Sequence, residues 1–321
     1  MNSDTSKIKE ILNERFMENE PLSSHTTFRI GGPARYFAVI QNLEEFQEVL
    51  SWAEKNAISY VVLGGGSNIL VSDNGYPGLV IKMSGDRLNI KDEIVECEAG
   101  VILAKALSQS LAEGLSGLEW AAGIPGTIGG AVRGNAGAYG SDMSRNIIEV
   151  KVLRDGKIKS LSVSDCEFGY RESVFKKNGN KDVILSVTMK LQKSDTNQAR
   201  ERVKKIISER APKFAGFSAG CVFKNIETSA EEIKLFQEKF PNFPDQYVKY
   251  RKIPVAWLID KCELKGKEIG HAKVFENHAG IIINIGGATA ENVIMLISII
   301  KQKVRDTFDL QLMEEIEYLG F

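Results

Sequence analysis

The chain has 321 residues, 43% of them hydrophobic and 26% charged, with Lys+Arg 41 against Asp+Glu 42. This is an ordinary globular composition, long enough for two or three domains. Near-zero net charge without a basic stripe or polybasic cluster excludes a nucleic-acid binder or a protein drawn to anionic membranes.

The polar start MNSDTSKIKEILNERF has no apolar core of a secretory signal, and Ile8, Ile11, Leu12 and Phe16 predict a helix over 5–16. HTTFRIGGPARYFAVI runs from a turn into a β-like stretch, and LEEFQEVLSWAEKN reads as an amphipathic helix. YVVLGGGSNILVSD is a short strand broken by glycines, and GLVIKM is another strand. IVECEAG alternates like a half-buried strand, and ILAKALSQSLAEG has helical spacing ending at Gly114. NIIEVKVLRDGKIKSLSV is the clearest hairpin signal, two alternating runs joined by Asp155-Gly156. DVILSVTMKLQ predicts a strand and TNQARERVKKIISERAP a charged helix.

After Pro212 the pattern changes: a strand at CVFKNI, helices at SAEEIKLFQEKF and VAWLIDKC, and a strand at AGIIINI. A helix from Ala290 to about Thr307 and a strand near LMEEIEYL follow. NVIMLISII falls far short of the ~18 apolar residues a membrane span needs, so a cytoplasmic location is expected. The expected class is α+β, with a boundary near residue 210.

Two stretches concentrate glycine well beyond its 29 occurrences in the chain: GGGSN (64–68) and GIPGTIGGAVRGNAGAYG (123–140). Glycine lets backbone approach a ligand closely, and successive N–H groups in such turns form anion-binding nests. Neither stretch has the GKS or GKT of a nucleotide hydrolase loop, and the Rossmann fingerprint is not met in context. Tight turns in a sheet-rich domain are the plain alternative for one such loop. Two of them in one α/β unit point to dinucleotide binding outside the Rossmann fold.

Four scattered cysteines without a CxxC pair predict no disulfide framework or zinc knuckle. His271 and His278, seven apart, lack the HExxH spacing, and no metal site is expected. Cys97, Cys166 and Cys262 read as core filler, Trp120 and Trp257 as packing.

RIGGPARYF, LGGGSNILVSD, GIPGTIGGAVRGNAGAYG, YRESVF, SAGCVFKN, WLIDKCELKG and LMEEIEYLG occur in this order from about His25 to Gly320. In these motifs the chain resembles the UDP-N-acetylenolpyruvoylglucosamine reductase (MurB) family. The resemblance implies an FAD-binding domain of the vanillyl-alcohol-oxidase type in two lobes, 1–83 and 84–210, and a smaller α+β substrate domain, 211–321. It implies non-covalent FAD, NADPH as reductant, and reduction of an enolpyruvyl ether on a UDP-sugar in peptidoglycan precursor synthesis. The partner is then a small sugar nucleotide, with no nucleic acid and no membrane; the sequence leaves the oligomeric state open.

FAD contacts are expected from Gly64, Gly65, Gly66, Ser67 and Asn68, and from Gly123, Pro125, Gly126, Gly129, Gly130, Asn135 and Gly137. Hydride addition to the terminal enolpyruvyl carbon leaves negative charge on the neighbouring carbon and its carboxylate, which calls for a cation and an acid. By motif, Arg171 in YRESVF supplies the guanidinium fork. Glu315 matches the glutamate of the closing strand, although Glu314 and Glu317 make a solvated edge strand the plain alternative. Cys221 stands where most relatives carry serine as proton donor. An ordinary thiol titrates near ~8.5, so it is mostly protonated at neutral pH and is a better acid than a hydroxyl. Tyr170, Lys224, Asn225 and His278 are expected on the substrate. Two rivals remain: an FAD-dependent oxidase of the same superfamily, and a flavin-binding protein without chemistry.

Overall fold

A computed structural model describes residues 5–177, 182–211 and 216–321. Two compact units emerge: Met1–His25, Gly32–Ser67 and Gly75–Pro212 form the first, and Thr26–Gly31, Asn68–Asn74 and Lys213–Phe321 the second.

The first unit holds two sheets. In one, Phe16–Pro21 lies antiparallel to Pro33–Ile40, which runs parallel to Tyr76–Met83 and through it to Tyr60–Leu63. The helix Leu43–Lys55 buries Phe46, Val49, Trp52 and Ala53 against this sheet's core. Its start is fixed by Asn42, whose side chain accepts from the Glu45 N–H at 2.9 Å. The helix predicted over 5–16 is shorter, Ser6–Leu12 with a 3-10 turn at Asn13–Arg15, and a strand missed in the sequence starts at Phe16. Asn13 at φ +51° ends the helix, and Phe16 instead packs its ring on Tyr36 and Trp52.

The second sheet is antiparallel throughout, in the order Lys157–Ser162, Ile147–Arg154, Asp182–Lys190, Ile94–Glu98, Leu88–Lys91. The predicted hairpin is present, with Asp155 and Gly156 at φ +53° and +70° in its two-residue turn. Helices Leu103–Ala112 and Ile128–Arg133 cover this sheet, and Trp120 is buried in its core as expected. Both glycine-rich loops belong to this unit, the first of them up to Ser67. The α+β class is as expected.

The second unit is built on the helix Ala290–Phe308, which buries Val293, Leu296, Ile297, Ile300 and Val304. Phe236, Phe243, Trp257 and Phe308 form an aromatic cluster beside it. A three-stranded antiparallel sheet, Glu268–Ile269, Ala272–Val274 and Ile282–Asn284, completes the core. The expected division at 83/84 and 210/211 left two short excursions out of this unit. Phe28, Ile30 and Leu70 are buried in its core. Buried Asn284 donates to the Phe28 carbonyl at 3.1 Å, and Asp73 accepts from the N–H groups of Ala290 and Glu291 at the helix start.

CVFKNI is not a strand along its length. Only Ile226–Glu227 pairs regularly, with Lys252–Ile253, whereas Cys221 and Phe223 make single bridges to Ile281 and Glu314. Among the described residues no helix is long and apolar enough to cross a membrane, and no group of three His, Cys, Asp or Glu side chains could hold a metal ion.

Candidate functional site

The two glycine-rich loops of the first unit touch each other, and this contact explains several of their glycines. A Cβ on Gly65 would stand 2.6 Å from the Gly126 Cα, and one on Gly64 would stand 2.9 Å from the Thr127 Oγ1. A Cβ on Gly129 would meet the Ala99 Cβ at 2.8 Å. Ser67 Oγ donates to the Pro125 carbonyl at 3.0 Å and ties the loops side by side. Gly66, Gly123 and Gly126 also take φ of +61°, +74° and +132°, conformations that glycine adopts without the strain of a Cβ.

Beneath the loops lies a cleft lined by Val62, Gly64, Ala99, Gly129, Gly130 and Ile184. Met83, Thr127, Arg133, Phe175 and Asp182 also line it, so its walls mix apolar and charged side chains, and it is the nearly side-chain-free backbone of the two loops that suits a dinucleotide held mainly through main-chain groups. The residues present therefore fit FAD. Gly65→Ala is expected to push the loops apart, at a cost of about 1–3 kcal/mol in the holo form. FAD retention should then fall roughly tenfold to hundredfold, read from the flavin-to-protein absorbance ratio after gel filtration. Gly134→Ala is the control, since its Cβ would meet nothing closer than 3.6 Å and its backbone is not left-handed.

Asn135, expected on the cofactor, is 4% exposed and has its amide engaged within the protein. Its Nδ2 donates to the Gly169 carbonyl at 2.9 Å and its Oδ1 accepts from the Ser144 N–H at 3.1 Å. Gly169 and Glu172 exchange both backbone hydrogen bonds, 3.0 and 3.2 Å, so Tyr170 and Arg171 form the tip of a closed turn. Arg171 stands at φ +57°, and its Nη2 donates to the Gly137 carbonyl at 2.8 Å. Its guanidinium lies 5.4 Å from the centre of the Tyr170 ring. The Arg171 carbonyl accepts from Lys176 Nζ at 3.1 Å.

In the second unit, the segment 221–224 runs between two neighbouring strands' worth of backbone. The Val222 N–H donates to the Gly280 carbonyl at 2.9 Å, the Glu315 N–H donates to the Val222 carbonyl at 2.7 Å, and the Lys224 N–H donates to Met313 at 2.9 Å. Cys221 and Glu315 are thereby placed on adjoining backbone. Cys221 is half-buried at the edge of a small cluster of Phe275, Ile281 and Ile283. Cys97 and Cys166 differ: both are fully buried, and loss of solvation pushes their thiols up to about 12 and about 11. They are core filler, as expected.

Asn68 Nδ2 donates to the Glu315 carbonyl at 3.1 Å, and the Asn68 carbonyl accepts from the Glu317 N–H at 2.9 Å. This side chain secures the segment that carries Glu315, a role the glycine motif did not reveal. Asn225 Oδ1 accepts from the Val255 N–H at 3.0 Å and caps the helix Val255–Lys261. His278 is half-buried and accepts through its carbonyl from the Ile281 N–H at 3.0 Å.

Residues 34–162 match the FAD binding domain family, and residues 212–319 match the C-terminal domain family of UDP-N-acetylenolpyruvoylglucosamine reductase. The chain is 37% identical over 309 residues to the UDP-N-acetylenolpyruvoylglucosamine reductase of Anoxybacillus flavithermus, 94% of each chain. It is 35% identical to that of Clostridium tetani over 317 residues, covering 98% of this chain and 95% of the other. Among solved structures, the reductase MurB from Thermus caldophilus superposes with a TM-score of 0.74 at 28% identity, over 95% of this chain and 98% of that one. The chain belongs to the UDP-N-acetylenolpyruvoylglucosamine reductase family, with an FAD-binding domain followed by that family's C-terminal domain.

Proposed function

We propose that this protein reduces UDP-N-acetyl-3-O-enolpyruvylglucosamine to UDP-N-acetylmuramate with NADPH, a step of peptidoglycan precursor synthesis in the cytoplasm. The observation that carries this reading is likeness over nearly the whole chain to reductases of that name. FAD, when bound, supplies a hydride carrier between NADPH and the substrate.

The chain's own residues supply position, charge and a proton. Gly64, Gly65, Gly66, Gly126, Gly129 and Gly130 present the cofactor with nearly side-chain-free backbone. Arg171 offers its guanidinium to the enolpyruvyl carboxylate and stabilises the charge that grows there as the double bond is reduced. Cys221 Sγ delivers the proton to the carbon next to that carboxylate. Glu315 holds the proton-transfer geometry from the adjoining backbone. Tyr170, Lys224, Asn225 and His278 contact the sugar nucleotide, with Lys224 on the diphosphate; Asn225 serves through its Nδ2, its oxygen being the helix cap.

Anaerobic titration tests the reading. NADPH should bleach the flavin band of the purified holoprotein, and the enolpyruvyl sugar nucleotide should restore it. Bleaching without recovery overturns the substrate assignment. Yellow colour retained in an acid-precipitated pellet favours the covalent oxidase, and no bleaching at all favours a flavin binder without chemistry.

A further inference from the structure

We propose that Asn135 is a positioning residue for Arg171, fixing the turn that carries the guanidinium rather than touching the cofactor. The inference rests on the reductase reading above and assigns it a residue that the motif placed elsewhere.

Tyr170 and Arg171 sit at the tip of a two-residue loop closed by Gly169 and Glu172. Such a loop can tilt about its base unless something outside it holds both base and tip. The segment 135–137 does both. Asn135 Nδ2 holds the base through the Gly169 carbonyl at 2.9 Å, and the Gly137 carbonyl takes the tip through Arg171 Nη2 at 2.8 Å. The Ser144 N–H donates to Asn135 Oδ1 at 3.1 Å, which fixes which end of the amide faces Gly169.

Two properties suit asparagine to this place. It is 4% exposed, so its donor and acceptor must both be satisfied inside the protein, and they are. Its backbone is left-handed at φ +39°, a region asparagine tolerates better than most residues. Arg171 is itself left-handed at φ +57°, a conformation that persists only where the surroundings over-determine it. The same stretch also grips the residues that follow: Ser173 Oγ donates to the Arg133 carbonyl at 2.6 Å, and Arg133 Nη1 donates to the Phe175 carbonyl. The turn is thus anchored on both sides, with Asn135 at the base of the catalytic tip.

Asn135→Asp is the direct test. It keeps the acceptor for Ser144 and the tolerance for positive φ, but sets a carboxylate oxygen and a buried negative charge against the Gly169 carbonyl in place of the donor. Flavin reduction by NADPH should stay within about twofold of wild type, while reoxidation by the enolpyruvyl sugar nucleotide falls about tenfold or more, because small misplacements of a catalytic group are costly. In an Arg171→Ala background the same substitution should change reoxidation no further. Amide hydrogen exchange across 169–172 should quicken in Asn135→Asp with the rest of the chain unchanged. Should Asn135→Asp fail to fold, Asn135→Gly, which also accepts the left-handed backbone, carries the same expectations. Unchanged reoxidation, equal slowing of both half-reactions, or a further loss in the Arg171→Ala background would overturn the proposal. If wild-type reduced flavin is not reoxidised by the substrate, the reductase reading fails instead, and the two failures are told apart.

Discussion

Cys221→Ala is expected to reduce its flavin with NADPH at close to the wild-type rate and then stall. In the mechanism proposed above the thiol acts only in the second half-reaction, protonating the carbon next to the carboxylate. Loss of a positioned general acid costs typically 10²–10⁴-fold, so reoxidation by the enolpyruvyl sugar nucleotide should slow by about that factor. Stopped-flow absorbance of the flavin band separates the two steps directly. Cys221→Ser should restore most of the loss, because a hydroxyl can donate the same proton. An alanine variant that turns over normally would assign the proton to another source. Placement of Cys221 half-buried, unlike the two core thiols, is consistent with a group that works on a ligand.

Arg171→Ala should lower reoxidation by roughly 10²–10³-fold, the usual cost of removing one donor to developing negative charge. Arg171→Lys should recover only part of it, because an ammonium is a point charge that lacks the planar fork matched to a carboxylate. Neither substitution should weaken FAD binding as Gly65→Ala does, so the flavin-to-protein ratio distinguishes loss of chemistry from loss of cofactor. Equal rates in wild type and Arg171→Ala would remove the guanidinium from the mechanism.

Much of this was legible in the chain itself. Regular periodicity announced the helices at 43–55 and 290–308, and Asp155-Gly156 announced its hairpin, because those signals are local. Other features depend on residues far apart in sequence. Phe16 looked like the end of a helix and is a strand residue, since stacking on Tyr36 and Trp52 outweighs local helical spacing. CVFKNI looked like a strand, yet its neighbours on the two sides come from 281 and 314, which no local pattern announces. The same holds within the glycine motifs. Their residue types pointed to a cofactor, but the amides of Asn68 and Asn135 serve the Glu315 and Gly169 carbonyls, partners 247 and 34 positions away. What could have hinted at Asn135 is its place directly after Gly134 in a glycine-rich turn, since asparagine tolerates left-handed backbone better than most residues.

Phe28, Ile30, Leu70 and the Asp73 helix cap come from early in the chain and complete a core otherwise made of residues after 213. Burying each of the three apolar side chains is worth about 1.5–3 kcal/mol, and their sum rivals the whole stability of a typical domain, about 5–15 kcal/mol. The terminal portion is consequently no cassette: severed from its two upstream inserts it would be left with holes where those side chains belong, and gene shuffling that exchanges tails between relatives must carry the inserts along or lose the fold.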